Sequence, residues 1–95
     1  MKTPLSLTSA IILQAVATGR RYGFEMMDAT GLPSGTIYPA LRRLEKARLI
    51  RSDWESTKAA ESYGPPRKYF RVTGEGIAAL EAAERRFPAV AQLKG

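Results

Sequence analysis

The chain contains no cysteine and no histidine. It therefore has no disulfide framework, no Cys/His zinc site, no thiol nucleophile, no Ser-His-Asp triad and no imidazole general base. Long hydrophobic runs are also missing. The apolar stretch after Lys2 imitates a secretory signal, but Ser6, Thr8, Ser9 and Gln14 interrupt it, and it is shorter than the roughly 18 residues that span a bilayer. We expect a cytoplasmic protein that is not an enzyme, with no catalytic or metal-binding residues, no cofactor and no membrane partner.

The 95 residues suffice for one small domain, and the content of 44% hydrophobic and 25% charged residues is typical of a globular chain. Basic residues outnumber acidic ones by 15 to 9, and the excess lies in the middle of the chain, where residues 20–71 carry eleven basic and six acidic side chains. Such a concentration indicates a nucleic-acid partner, although a basic surface can also serve solubility alone.

Helical periodicity predicts two helices in the first third of the chain. Thr3 and Pro4 fit the N-cap and first position of the first helix, which ends at Gly19. Its apolar face consists of Leu5, Ile11, Ile12, Ala15 and Val16. The second helix runs from about Tyr22 to Thr30 and is closed by Gly31.

A third helix follows the turn at residues 32–35. Pro39 fits it if the helix begins near Ser34 to Thr36, so that the missing N–H falls in the first turn. The spacing of this helix directs three apolar side chains to the core: Ile37, Leu41 and Leu44. Two helices joined by a short turn that contains glycine predict a helix-turn-helix.

Strand periodicity replaces helical periodicity in residues 49–55 and 67–72, which we expect to pair as a hairpin. Residues 56–66 between them are polar and end in Gly-Pro-Pro, which predicts an exposed loop. Trp54 and Phe70 are expected to pack the hairpin onto the helices.

Thr73 is expected to cap a fourth helix, which Pro88 ends or kinks near Phe87. The whole order predicts a mainly α protein of the α+β class, a winged helix-turn-helix. We expect residues 1–73 to form a DNA-binding domain and residues 74–95 a C-terminal dimerisation helix and tail, together one compact unit.

Three stretches of the sequence closely resemble the signatures of the PadR-like family of bacterial transcriptional regulators. They are Tyr-Gly-Phe-Glu-Met at residues 22–26, Gly-Thr-Ile-Tyr-Pro-Ala-Leu-Arg-Arg-Leu-Glu at 35–45, and Gly-Pro-Pro-Arg-Lys-Tyr-Phe-Arg-Val-Thr at 64–73. The resemblance runs from about residue 5 to 80. It implies a homodimeric repressor of transcription, with a wing beside each recognition helix and a C-terminal helix that joins the protomers.

Two positions depart from the family pattern. Arg48 stands where the family usually has glycine after the third helix, so this position either avoids a left-handed conformation or accepts a cost of about 1 kcal/mol. Some family members bind planar aromatic effectors between protomers with aromatic residues of the fourth helix. Here that helix has no tryptophan, and Phe87 is the aromatic residue left to serve such a site.

Double-stranded DNA is the partner we expect, and the residues that would contact it fall into three groups. We expect four side chains of the third helix that point away from its core face to enter the major groove, where arginine can read guanine: Thr36, Tyr38, Arg42 and Arg43. Ser34, at the start of this helix, is also expected to contact DNA. Wing residues Arg67 and Lys68 are expected to meet phosphates or the minor groove, and Arg20 and Arg21 before the second helix to meet phosphates.

The alternatives are a solvated face for Tyr38 and Arg42 and a blunted edge strand for Arg67 and Lys68. Ile77, Leu80 and Phe87 form an apolar stripe that we expect at a homodimer interface. The alternative function is that of a winged-helix protein-interaction module without DNA binding, which a salt-dependent gel shift would distinguish.

Overall fold

The computed structural model describes residues 4–55 and 67–92. These residues form four α-helices, a two-stranded antiparallel sheet and a final 3-10 helix. In chain order the elements are α1 (Leu7–Ala17), α2 (Gly23–Thr30), α3 (Ser34–Lys46), β1 (Ile50–Trp54), β2 (Lys68–Val72), α4 (Gly74–Arg86) and the 3-10 helix Pro88–Gln92. The mainly helical winged-helix architecture predicted from the sequence is confirmed. The predicted loop 56–66 and the predicted cap Thr3 lie outside the described residues.

Helix α1 is the centre of the fold, because it packs against α2, α3, α4, β2 and the 3-10 helix. Its buried residues are Ser9, Ala10, Ile12, Leu13, Gln14, Ala15 and Val16, which lie on more than one face. The prediction of a single apolar face was therefore wrong for this helix. Leu5 and Ile11, predicted for that face, are half-buried at its margin.

The start of α1 also differs from the prediction. The N-cap is Ser6, whose Oγ accepts a hydrogen bond from the backbone N–H of Ser9 at 3.1 Å. Pro4 and Leu5 precede the helix, and the Leu5 carbonyl accepts a hydrogen bond from Arg86 Nη1 at 2.8 Å. This tertiary contact holds residues 4 and 5 against α4. Local capping preferences in the sequence cannot predict such a contact.

Helices α2 and α3 form the predicted helix-turn-helix. Gly31 ends α2 with a left-handed φ of 74°. The three predicted core residues of α3, Ile37, Leu41 and Leu44, are all buried. Because α3 begins at Ser34, Pro39 lies in its second turn and not in the first, and it removes the hydrogen bond to the Gly35 carbonyl.

The hairpin pairs Ile50 with Val72, Ser52 with Phe70, and Trp54 with Lys68. The chain between α1 and α2 adds to this sheet, since Phe70 N–H donates to the Arg21 carbonyl at 2.8 Å. Phe70 packs into the core as predicted, with 6% of its surface exposed. The same prediction was wrong for Trp54, which is 62% exposed. On the same face of β1, Ser52 is the side chain that contacts α3. Trp54 lies two residues further along the strand, beyond this contact, and is therefore exposed.

Arg48 accepts the left-handed conformation, with φ at 65°. Arg48 N–H donates to the Glu45 carbonyl at 2.9 Å and Leu49 N–H donates to the Leu44 carbonyl at 3.0 Å. These two bonds form a Schellman motif, which needs a left-handed residue after the C-cap. The bonds offset the cost of about 1 kcal/mol that an arginine pays there.

The beginning of α4 is fixed to the end of this motif. Thr73 N–H donates to the Leu49 carbonyl at 3.0 Å, and Thr73 Oγ1 lies within 3.0 Å of the Leu49 carbonyl oxygen and 2.8 Å of that of Arg48. Thr73 Oγ1 also caps α4 by accepting from Gly76 N–H at 3.0 Å, as predicted. Helix α4 ends at Arg86, and Pro88 starts the 3-10 helix, so the predicted effect of Pro88 is confirmed.

Gly76→Ala is expected to destabilise the protein. A Cβ atom at Gly76 would overlap the Leu49 carbonyl oxygen and lie 2.8 Å from Val72 Cγ2. The resulting shift of α4 should cost more than the roughly 1 kcal/mol that alanine gains over glycine in a helix, for a net loss of about 2 kcal/mol in unfolding free energy. Chemical denaturation measures this loss. Gly74→Ala is the matched control, because no atom lies within 4 Å of its Cβ position. Equal stability of the two variants would contradict the prediction.

Candidate nucleic-acid interface

The exposed side of α3 carries Tyr38, Arg42 and Glu45, which follow one another at helical spacing. These side chains line a cleft of about 370 Å³ between α2, α3 and β2. Lys68 of β2 and Arg67, the residue before that strand, also line the cleft. The structure thus brings four of the nine predicted DNA-binding residues to one cleft, on the side of α3 away from its buried Ile37 and Leu44.

Two aromatic rings from the start of α2 complete the cleft wall. Tyr22 and Phe24 stack with their ring centroids 5.4 Å apart and their planes 12° apart. The guanidinium carbon of Arg67 lies 5.8 Å from the Tyr22 centroid and 5.6 Å from that of Phe24. Because the negative face of each ring attracts the cation, the rings orient Arg67 over the cleft. Arg67 Nε also lies 3.6 Å from Glu55 Oε1.

Glu45 is the acidic residue among those that line the cleft. Its Oε2 accepts a short hydrogen bond from Ser52 Oγ, and its Oε1 lies 3.8 Å from Lys68 Nζ. One carboxylate of α3 therefore contacts both strands of the wing. Lys68 Nζ also lies 5.9 Å from the Phe70 ring and 6.0 Å from the Trp54 ring. The wing is held at a defined position beside α3 by these contacts.

Tyr38 is half-exposed, and its ring lies against the backbone of α2. A Cβ atom at Gly23 would collide with the Tyr38 hydroxyl and lie 2.8 Å from its Cε1, so only glycine permits this approach. Tyr38 thus spaces α2 from α3 as well as lining the cleft. Arg42 is exposed and has no ion-pair partner among residues 4–55 and 67–92.

The remaining predicted contact residues lie outside the cleft. Ser34 and Arg43 are exposed on α3, and Thr36 is half-buried in its first turn. Arg20 Nη1 donates to Thr18 Oγ1 at 3.1 Å at the end of α1. Arg21 is exposed, but its backbone N–H and that of Tyr22 both donate to Glu25 Oε1, at 2.8 and 3.1 Å. A carboxylate of the chain therefore already accepts from the N–H groups that precede α2.

Sequence reasoning missed Glu45, Tyr22 and Phe24 as parts of this surface. The signal for Glu45 was its position seven residues after Tyr38, which puts both on one side of α3. No periodicity could find Tyr22 and Phe24, because they face the wing only once β2 is packed beside α2. The exposure of Trp54 was also missed, since it depends on how far β1 extends beyond its contact with α3.

The predicted dimer residues of α4 do not form one exposed stripe. Ile77 is 41% exposed, but Leu80 is 6% exposed and belongs to the core of the chain itself. Phe87 is half-buried against that core, with the Arg86 guanidinium 4.7 Å from its ring centroid. Leu80 and Phe87 are thus covered within the protomer, because α4 packs back onto α1.

A separate apolar groove of about 670 Å³ runs beside α4. On α4 it is lined by four alanines together with Glu75 and Arg86, and its other residues come from the segment before α1 and the segment after α3. The apolar residues among them include Leu5, Leu49, Ala78, Ala79, Ala82 and Ala83. Ala78 and Ala82 are exposed.

None of the described helices has the length and apolar character needed to cross a membrane.

Comparison with known proteins agrees with this geometry. The model of the Transcriptional regulator PadR-like family matches residues 12–82. A PadR family transcription regulator from Clostridium difficile has a similar structure, with 27% identity, a TM-score of 0.75 and coverage of 93% of this chain and 94% of that one. A PadR-like transcriptional regulator from Bacillus cereus has 29% identity and a TM-score of 0.68, over 88% of this chain and 84% of that chain.

A PadR-like transcription factor from Bacteroides fragilis is similar too, at 28% identity and a TM-score of 0.70, over 88% of this chain and 82% of that one. No curated protein matches the chain. The family model covers about three-quarters of the sequence, including all of the helix-turn-helix and the wing. The chain therefore belongs to the PadR-like family of transcriptional regulators.

Proposed function

We propose that this protein binds double-stranded DNA as a homodimer and represses transcription in the cytoplasm. Helix α3 enters the major groove and the wing follows the adjacent sugar–phosphate backbone. The observation that carries the proposal is the shared cleft of α3 and β2, in which Arg42, Arg67 and Lys68 lie beside one another. A basic cleft between a recognition helix and a wing suits a polyanion whose groove and backbone are contacted together.

Within this surface Arg42 is suited to read bases. It is exposed on α3 and free of ion pairs among the described residues, so its planar guanidinium can form a bidentate contact with guanine without breaking an internal salt bridge. Thr36 and Arg43 on the same helix are further candidates. Ser34, at the first turn of α3, is suited to a phosphate, because the N–H groups at a helix N-terminus attract anions.

Arg67 and Lys68 are suited to phosphates. Each already has an internal acidic neighbour, Glu55 at 3.6 Å and Glu45 at 3.8 Å, and an exposed salt bridge of this kind contributes only about 0 to 1 kcal/mol. A phosphate can therefore replace or share either carboxylate at small cost. Arg20 and Arg21 would extend the backbone contacts at the side of α2.

The homodimer is supported by the alanine groove along α4. Ala78 and Ala82 are exposed in this groove, and small side chains permit close approach of another helix. An exposed apolar helix face is more stable when a second copy covers it, and a two-fold dimer is the commonest closed arrangement. Of the predicted stripe, Leu80 and Phe87 are covered internally, and Ile77 is exposed but does not line this groove.

DNA affinity is expected to fall steeply with salt concentration. A dimer that neutralises about six to ten phosphates loses roughly 10³- to 10⁵-fold in affinity between about 50 and 200 mM salt, because bound counterions are released. Fluorescence anisotropy with a labelled duplex from upstream of the chain's own gene measures the slope, and a scrambled duplex is the control. A flat salt profile on both duplexes would contradict DNA binding and favour a protein-interaction module.

Arg42→Ala and Lys68→Ala are expected to affect DNA binding differently. Arg42→Ala should cost about 1 to 3 kcal/mol on the specific duplex and relax the preference at one base position. Lys68→Ala should weaken all duplexes alike and lower the salt slope by about one unit. The double variant Glu45→Gln/Lys68→Ala is the control, because it removes the carboxylate that Lys68→Ala leaves unpaired near the phosphates.

The same anisotropy titrations, on specific and scrambled duplexes, measure both effects. If Arg42→Ala left the ratio of the two affinities unchanged while Lys68→Ala lowered it, the wing would read sequence and these roles would be reversed.

Ala78→Glu, in the alanine groove, is expected to convert the homodimer into a folded monomer. A carboxylate buried without a partner costs about 3 to 5 kcal/mol, whereas the same group on an isolated protomer stays in water. Sedimentation velocity at tens of micromolar measures the change. Phe24→Glu puts the same charge at a position that is 53% exposed outside the alanine groove, and it should remain dimeric. A monomeric parent protein, or equal behaviour of both variants, would contradict this interface.

A further inference from the structure

Trp54 is the one tryptophan of the chain, and more of its surface is exposed than that of the other exposed large apolar residues of the described chain. It lies at the end of β1, on the strand face that also carries Ile50 and Ser52. Ile50 is buried and Ser52 reaches Glu45 of α3. Trp54 is thus the next side chain along the face of the wing that is turned toward the recognition helix.

The surroundings of Trp54 are charged. Its cross-strand partner is Lys68, whose Nζ lies 6.0 Å from the centroid of the Trp54 ring. Lys68 in turn lines the cleft that contains Arg42 and Arg67. The Trp54 indole therefore lies next to the cationic cleft, on the wing. The Lys68 ammonium group both contacts the indole ring and lines the cleft.

We propose that Trp54 is a DNA-backbone contact, a site that rests on the proposed function and extends it. The face of the indole packs on a deoxyribose, its Nε1–H is available to donate to a phosphate oxygen, and Lys68 supplies positive charge to the same nucleotide. An indole suits this boundary because it has an apolar body and one polar donor. The contact adds affinity without reading sequence, since sugars and phosphates are common to all base pairs.

The charges around Trp54 favour DNA over a protein surface as the occupant. The cores of protein–protein interfaces are depleted of charged residues, whereas Trp54 is flanked in sequence by Asp53 and Glu55 and paired with Lys68. The alanine groove of α4, where we place the second protomer, does not contain Trp54. A sugar–phosphate strand satisfies both features of the site, an apolar ring and an adjacent ammonium.

The test uses the full-length protein and its own tryptophan emission, which reports on Trp54 alone. A duplex is titrated while Trp54 emission and the anisotropy of a label on the DNA are recorded together. We expect a saturable change in emission with the same midpoint as the anisotropy curve, and protection of bound Trp54 from quenching by acrylamide. A rise in anisotropy with unchanged emission and unchanged quenching would overturn the Trp54 contact and leave DNA binding intact.

Variants supply the second arm of the test. Trp54→Ala should reduce affinity roughly tenfold on specific and scrambled duplexes alike, on the scale of other aromatic contacts to nucleic acid, and should leave the salt slope unchanged because no charge is lost. Trp54→Phe should recover part of that loss. Tyr69→Ala is the matched control, since Tyr69 lies on the same hairpin but on its opposite face, across from Asp53.

The outcomes separate the two proposals. Thermal unfolding of each variant verifies that the hairpin is intact, as expected for a side chain that is mostly in solvent. Equal losses for Trp54→Ala and Tyr69→Ala, or a loss for Trp54→Ala on the specific duplex alone, would overturn the backbone contact. An anisotropy that does not respond to any duplex would overturn DNA binding itself, and the Trp54 site with it.

Discussion

The carbonyl group of Leu49 is the point on which the arrangement of the wing and the last helix depends. Thr73 N–H donates to it, Thr73 Oγ1 lies within hydrogen-bonding distance of it, and Gly76 leaves just the space that it occupies. The first residue pair of the hairpin, Ile50 with Val72, lies directly beside these bonds. A displacement of this junction would therefore change the register of the sheet and the position of α4 together, because Thr73 is the one residue between β2 and α4.

That register determines which side chains of the wing face the recognition helix. With Ile50 opposite Val72, the residues Ser52, Trp54, Lys68 and Phe70 share the face toward α3. A shift of β2 by one residue would turn Tyr69 and Arg71 toward α3 in place of Lys68 and Phe70, and Glu45 would lose its contact with Lys68. The cationic cleft thus depends on the Leu49 junction even though neither Leu49 nor Thr73 lines it.

Glu45 illustrates how a basic surface can be rigid without losing its attraction for an anion. Its carboxylate joins Ser52 of one strand and Lys68 of the other to α3, so contacts within the chain orient the wing. The bond to Lys68 is exposed and weak enough for a phosphate to compete with it. Arg67 is oriented in a similar way, by the rings of Tyr22 and Phe24 together with Glu55.

Periodicity and local chemistry in the sequence determined the order of elements, the core face of α3, the caps Gly31 and Thr73, the hairpin and the end of α4 near Pro88. These features follow from neighbouring residues, which is why they could be predicted. Tertiary packing decided the rest. Arg86 holds Leu5 outside α1, the contacts of α1 on several sides bury residues of more than one face, and α4 folds back to cover Leu80. The exposure of Trp54 and the meeting of Tyr22 and Phe24 with Arg67 depend on where β2 lies relative to α2 and α3, a distance between segments that no local pattern encodes.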